Sequence, residues 1–133
     1  NKIENWTPTA AFLRKQVEET IGTKFNSLLL NFYRHGLDKL DWHADDENEL
    51  DPHAPIASLS LGTERTFRLR PKDPQQRLNE LPLKFNLGHG DLLIMKPPTQ
   101  KYWVHQVPQR LRLNMSRVNL TFRIISKDNL HHV

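Results

Sequence analysis

Residues 117–124 read Arg-Val-Asn-Leu-Thr-Phe-Arg-Ile, a strict alternation of polar and apolar side chains. Only an extended strand sorts such a pattern onto two faces. Val118, Leu120, Phe122 and Ile124 share one face, which should be buried. Arg117, Asn119, Thr121 and Arg123 share the other. If that polar face meets water, this is an ordinary edge strand. If it lines a pocket, two guanidinium groups point inward, and buried arginines require acids or anionic ligands beside them. Arg117 and Arg123 lie at most about 20 Å apart along such a strand. Leaning inward, they would grip both ends of a small dicarboxylate through paired parallel hydrogen bonds. Asn31 and Tyr33 share a face of an earlier strand and are placed to add neutral hydrogen bonds.

A second constellation lies in Trp42-His43-Ala44-Asp45-Asp46-Glu47. His43 and Asp45 are two residues apart, so on a strand or at its end an imidazole and a carboxylate face the same way. They can converge on one divalent ion. The third ligand should be His105 on a later strand, because the other histidines fall in turns, loops or the tail. Two histidines and a carboxylate leave open coordination positions, the facial triad of non-haem iron oxygenases. His-x-Asp is common by chance, and a solvated loop is its plain alternative. A triad beside a dicarboxylate pocket is the arrangement of an iron and 2-oxoglutarate oxygenase.

Length and composition bound the rest. The chain has 133 residues, enough for one domain with one core. It begins at Asn1, so processing or trimming is expected. With no cysteine, disulfides and thiolate metal sites are excluded, leaving His, Asp and Glu as ligands. The net charge of +4 permits a polyanionic partner without demanding one. Charge is uneven: seven acids crowd residues 38–51, and Lys96, Lys101, Arg110, Arg112, Arg117, Arg123 and Lys127 load the last third. No apolar run reaches membrane-spanning length and no signal-peptide pattern opens the chain, so an intracellular protein without membrane contact is expected.

Thr7 and Pro8 predict a helix entry, Phe12, Leu13, Val17 and Ile21 its apolar stripe, and Gly22 its end. Strands are predicted at 25–33, 56–61, 66–70, 84–87, 92–95, 102–107 and 117–125, with 37–42 leading into the metal stretch. Residues 71–81 read as a long loop, His53 as an exposed loop residue, His89 as a turn residue, and His131-His132 as part of a disordered tail. About seven short strands and one helix suggest an antiparallel sandwich or jelly roll. The chain carries no glycine-rich phosphate loop, no serine nucleophile elbow and no zinc-protease helix motif.

These segments together resemble the AlkB family of Fe(II)- and 2-oxoglutarate-dependent dioxygenases, nearest to the animal-type nucleic acid repair homologues. The resemblance rests on Asn31-Phe32-Tyr33, Asp41 to Glu47, Ile56 to Gly62 and Arg65-Thr66-Phe67. It continues through Gly90 to Met95, His105 with Val107-Pro108, and Arg117 to Arg123. It covers about residues 25 to 125. It implies a mainly β, double-stranded β-helix fold with a flanking N-terminal helix. It implies iron held by His43, Asp45 and His105, and 2-oxoglutarate held by Arg117, Asn119, Thr121 and Arg123 with Asn31 and Tyr33. Asp46 and Glu47 would contact a methylated base.

The activity so implied is oxidative demethylation of 1-methyladenine- or 3-methylcytosine-type bases in DNA or RNA. It consumes O2 and releases formaldehyde, succinate and carbon dioxide. The base would leave its stack to reach the iron. A monomer in the cytoplasm, or in the nucleus of a eukaryote, is expected. One departure is visible: the family carries a nucleotide-holding lid ahead of the core, and here little but one helix precedes Asn31. Two other readings remain open: the same oxygenase chemistry on a protein, lipid or free nucleotide, or a non-catalytic jelly-roll binding module.

Overall fold

The computed structural model describes residues 5–126; the predicted tail and its His131-His132 pair lie outside them. Helix α1 spans Pro8–Ile21. Eight strands follow: β1 (Ser27–Tyr33), β2 (Leu40–His43), β3 (Ile56–Gly62), β4 (Arg65–Pro71), β5 (Leu83–Leu87), β6 (Leu92–Met95), β7 (Trp103–Val107) and β8 (Arg117–Arg123). A single helical turn, α2 (Thr99–Tyr102), precedes β7, and a 3-10 turn at Gln76–Leu78 interrupts the long loop before β5. Two four-stranded sheets form, ordered β1-β8-β3-β6 and β2-β7-β4-β5, with every pairing antiparallel. This is the double-stranded β-helix, a jelly roll whose two sheets face each other across the core.

The strand beyond the seven predicted is β2, where the sequence predicts only a lead-in. It is four residues long and shows no clean alternation, so pairing with β7 defines it rather than its own pattern. The predicted strand at 102–107 begins one residue later, because Tyr102 closes the helical turn.

The helix forms where its signals place it. Thr7 is extended and its Oγ1 accepts the Ala10 N–H at 3.2 Å. Pro8 occupies the first turn, where a missing N–H costs nothing. Gly22 ends it in the left-handed region, φ +72°, donating its N–H to the Glu18 carbonyl. Val17 packs with Phe25, Ala57, Leu59, Leu120 and Phe122, so α1 covers the outer face of the first sheet. Phe12, predicted in the same stripe, is instead 60% exposed, while Leu13 and Ile21 pack against the cluster.

A second cluster lies between the sheets: Tyr33, Ile56, Phe67, Leu69, Leu87, Met95 and Val107. The central strand β8 bonds β1 on one side and β3 on the other. Its apolar face feeds the core under the helix and its polar face points between the sheets, so the edge-strand reading fails. Opposite the metal stretch, Arg65 is 1% exposed. Its guanidinium donates to the carbonyls of His35 (3.2 Å), Asp38 (2.8 Å) and Pro108 (2.9 Å). It ties the β1–β2 connection to the segment leaving β7. The approach is tight there, since a Cβ on Gly36 would sit 1.8 Å from the Arg110 carbonyl oxygen.

Candidate active site

The antiparallel pairing of β2 with β7 sets His43 directly opposite His105. Sixty-two residues of sequence separation thus collapse into one cross-strand pair, ring centroids 4.2 Å apart and edge-to-face. Asp45 lies two residues past His43, just off the strand end. Its Oδ1 is 3.7 Å from His43 Nε2 and its Oδ2 is 3.9 Å from His105 Nε2. One donor atom from each residue lies within 4.8 Å of the others. Ion–ligand bonds of about 2.1 Å set adjacent donors about 3 Å apart, a contraction within the reach of small side-chain rotations.

The surroundings suit the donors to a cation. His43 Nδ1 donates to the Asp41 carbonyl at 2.8 Å. That leaves the Nε2 lone pair on the site side, the tautomer a metal ligand needs. His105 is 3% exposed and stacks on Phe67. Burial, reinforced by His43, pushes its pKa down to about 3, so the ring is neutral and its lone pair free. Burial raises Asp45 above the ordinary carboxylate range, against the pull of His43 and Arg123. A carboxylate stripped of water gains from a cation beside it.

From the triad a cavity of about 200 Å³ runs between the sheets, lined among others by Asn31, Tyr33, Ser58, Arg117, Asn119 and Thr121. Arg117 is 2% exposed. Its Nη2 donates to Ser60 Oγ at 2.8 Å and its guanidinium lies 5.2 Å from the Tyr33 ring centroid. Its Nε and Nη1 are buried without a hydrogen-bond partner. Burial lowers its pKa, opposed by Tyr33. An unmatched cation at the inner end of a pocket calls for an anion. Asn119 accepts from Ser58 Oγ (2.7 Å) and donates to Thr121 Oγ1 (2.9 Å), which fixes its amide. The residues present therefore fit both a divalent ion and a carboxylate reaching inward from it.

Arg123 sits apart from this inner group. It lies at the mouth, its Nη1 3.3 Å from Glu47 Oε1. It lines a second, larger cavity of about 530 Å³ with Asp45, Asp46, Glu47, Lys72 and Lys101. Asp46 Oδ2 accepts from Lys72 Nζ at 3.0 Å. The two acids expected beside a base are thus exposed side chains with cationic partners, at the cavity next to the triad. His53 is exposed and lines the same cavity, and His89 is exposed in its turn, where Nδ1 accepts the Gly62 N–H.

Three groups escaped the sequence reading. Ser58 and Ser60 alternate with Ala57, Leu59 and Leu61, a period-two signal that marks an inward polar face. Gln100, in the turn before β7, accepts the Asp45 N–H; nothing in Thr99-Gln100-Lys101-Tyr102 announces that.

The 2OG-Fe(II) oxygenase superfamily profile matches residues 1–123. The chain belongs to this superfamily, as a member of its AlkB branch. It is 44% identical over 128 residues to alpha-ketoglutarate-dependent dioxygenase alkB homolog 3 of Rattus norvegicus. That alignment covers 93% of this chain and 43% of the rat protein. The Homo sapiens homolog 3 is also 44% identical, over 93% of this chain and 45% of its own length. DNA oxidative demethylase ALKBH2 of Mus musculus is 44% identical over 90% of this chain and 52% of its own. The chain therefore spans about half the length of the relatives it matches. The solved structure of OsALKBH1 superposes with a TM-score of 0.65 at 23% identity, covering 85% of this chain and 64% of that one. It shares the jelly-roll fold. Among the described residues no helix is long and apolar enough to cross a membrane.

Proposed function

We propose that the chain is a single AlkB-type dioxygenase domain that oxidatively demethylates alkylated bases in DNA or RNA. In this reading His43, Asp45 and His105 hold Fe(II), and Arg117, Asn119, Thr121, Arg123, Asn31 and Tyr33 receive 2-oxoglutarate. The observation that carries it is the pairing of one cavity's two ends: a His-Asp-His cluster at one, a buried arginine with two unpartnered N–H groups at the other. A binding module has no use for that combination. Bound iron with 2-oxoglutarate and O2 would supply the power to oxidise an N-methyl group, so that formaldehyde, succinate and carbon dioxide leave.

The chain's own residues position and exclude. His43, locked by Asp41, presents Nε2; His105, kept neutral by burial, presents its own. Arg117 anchors the inner carboxylate with two hydrogen bonds, in a site dry enough to strengthen them. Tyr33, Asn31 and Asn119 add neutral donors. Arg123, close enough to Asp45 to influence its ionisation, serves the end of 2-oxoglutarate nearest the metal. Asp46 and Glu47 meet the base from the larger cavity, whose rim carries Lys72, Lys96 and Lys101. Those cations suit a phosphate-backed substrate. The names of the relatives, a DNA oxidative demethylase among them, support the same class.

The test is formaldehyde and succinate release from protein, Fe(II), 2-oxoglutarate and oligonucleotides bearing 1-methyladenine or 3-methylcytosine, as single- and double-stranded DNA and RNA. Turnover with at least one is expected. Succinate formation that no methylated nucleic acid stimulates would refute the substrate and leave the oxygenase chemistry standing. No turnover of any kind with an intact metal site would refute both.

A further inference from the structure

Of the three presumed ligands, two are pinned by the sheet itself. His43 and His105 face each other on paired strands. Asp45 is different. β2 ends at His43, and residues 44–48 belong to no strand or helix. No ladder fixes the ligand that must complete the triad.

One side chain bonds its backbone directly. The Asp45 N–H donates to Gln100 Oε1 at 2.9 Å, across 55 residues of sequence. A backbone N–H can only donate, so the carbonyl end of the Gln100 amide must face it. The amide's other end is held too: Nε2 lies 3.3 Å from the Met95 sulfur, and Met95 is buried in the core between the sheets. Gln100 sits on α2, the turn that leads directly into β7 and His105. The same short segment therefore carries His105 and the group that places Asp45. Further along, the loop is tied down again where Leu50 bridges Ile125 and Asp51 donates to the Ile124 carbonyl.

We infer that Gln100 is a positioning residue for the metal site: it holds the Asp45 backbone so that this carboxylate converges on His43 and His105. The inference rests on the proposed ligand set. Loss of the bond leaves the Asp45 backbone held through its neighbours, by the exposed side chains of Asp46 on Lys72 and Glu47 on Arg123, and the ion loses a correctly aimed donor. Groups that orient metal ligands in this way typically contribute ten- to a hundredfold in affinity.

The probe is Co(II), whose binding and visible ligand-field bands report the site without catalysis. Four proteins are compared after metal removal: the parent, Asp45→Ala, Gln100→Met and Gln100→Glu. Met keeps the length of Gln and removes the acceptor; Glu keeps an acceptor at the same place. Gln100→Met should weaken Co(II) binding at least about tenfold and shift its bands. Its metal-free melting temperature should stay close to the parent's. Gln100→Glu should restore the parent's bands. Parent-like Co(II) binding by Gln100→Met overturns the inference, whatever its melting temperature, because the residue is then only structural. Failure of Gln100→Glu to restore the bands overturns it as well. If Asp45→Ala binds Co(II) as the parent does, the ligand set itself is wrong and the inference falls with it. Weakened binding by Asp45→Ala beside unchanged binding by Gln100→Met rejects the role of Gln100 alone.

Discussion

Replacing Arg117 with Met should make the ligand-free protein more stable and the enzyme useless. Arg117 is 2% exposed, and two of its nitrogens, Nε and Nη1, have no hydrogen-bond partner. Each such buried donor costs about 1–3 kcal/mol. Met fills most of the same space without polar atoms. Against this stands the loss of the Nη2 hydrogen bonds to Ser60 Oγ and Asn119 Oδ1, each worth about 1 kcal/mol. Two such donors relieved, less the two bonds lost, leave a net gain of up to about 4 kcal/mol. For a chain of this length each kcal/mol of that gain raises Tm by about 3–5 °C. Ligand binding moves the other way. Losing a buried charged partner costs about 2–5 kcal/mol, a weakening of thirtyfold to several-thousandfold for 2-oxoglutarate. The assay is thermal unfolding of parent and Arg117→Met with Mn(II), with and without 2-oxoglutarate. The parent's Tm should rise with 2-oxoglutarate and the variant's should not. A variant that melts below the parent without ligand, yet still gains stability from 2-oxoglutarate, would refute the assignment of Arg117 as an anion anchor.

Other outcomes follow from the same geometry. Arg65→Met removes a donor that four carbonyls share, and should lower stability by about 2–4 kcal/mol in denaturant titrations; an unchanged midpoint would refute its role as a clamp. The metal-free protein should weaken as pH falls from about 6.5 towards 3. His105 is held down to about 3 when folded but accepts a proton near 6.5 when unfolded. The unfolded state therefore binds more protons in that window, and stability present above it is lost on acidification, by about 2–3 kcal/mol at pH 4.5 from this group. Asp45, raised by burial, has the opposite sign, so His105→Gln should flatten the profile while Asp45→Asn steepens it. Glu47→Gln should raise KM for a methylated oligonucleotide several-fold with little change in metal affinity, read by steady-state kinetics beside Co(II) titration; loss of metal binding would place Glu47 elsewhere in the machinery.

Much of the site was legible because strands write their faces into the sequence. β8 announced its two faces by alternation, and the buried face of Arg117, Asn119 and Thr121 followed once the other face proved apolar. Arg65 obeys the same rule, two residues before Phe67 and four before Leu69 on an inward face, yet a charge in a hairpin reads as solvent-facing. β2 was harder. Four residues hold too little pattern, and only its partner β7 makes it a strand. Gln100 lay beyond reach altogether: an amide in a polar turn carries no mark of the backbone group it will meet 55 residues away. Nor could charge counting show that Asp46 and Glu47 would find Lys72 and Arg123.

The cross-strand facing of His43 and His105 has a consequence for how such a chain matures. The segment between them supplies β3, β4, β5 and β6, half of the barrel's staves. The second imidazole joins the His43–Asp45 pair only across that wall, so an unfolded chain offers an ion an incomplete set of donors. With the proposed ligand set, ion capture would report barrel closure, and by mass action free metal would favour the closed form.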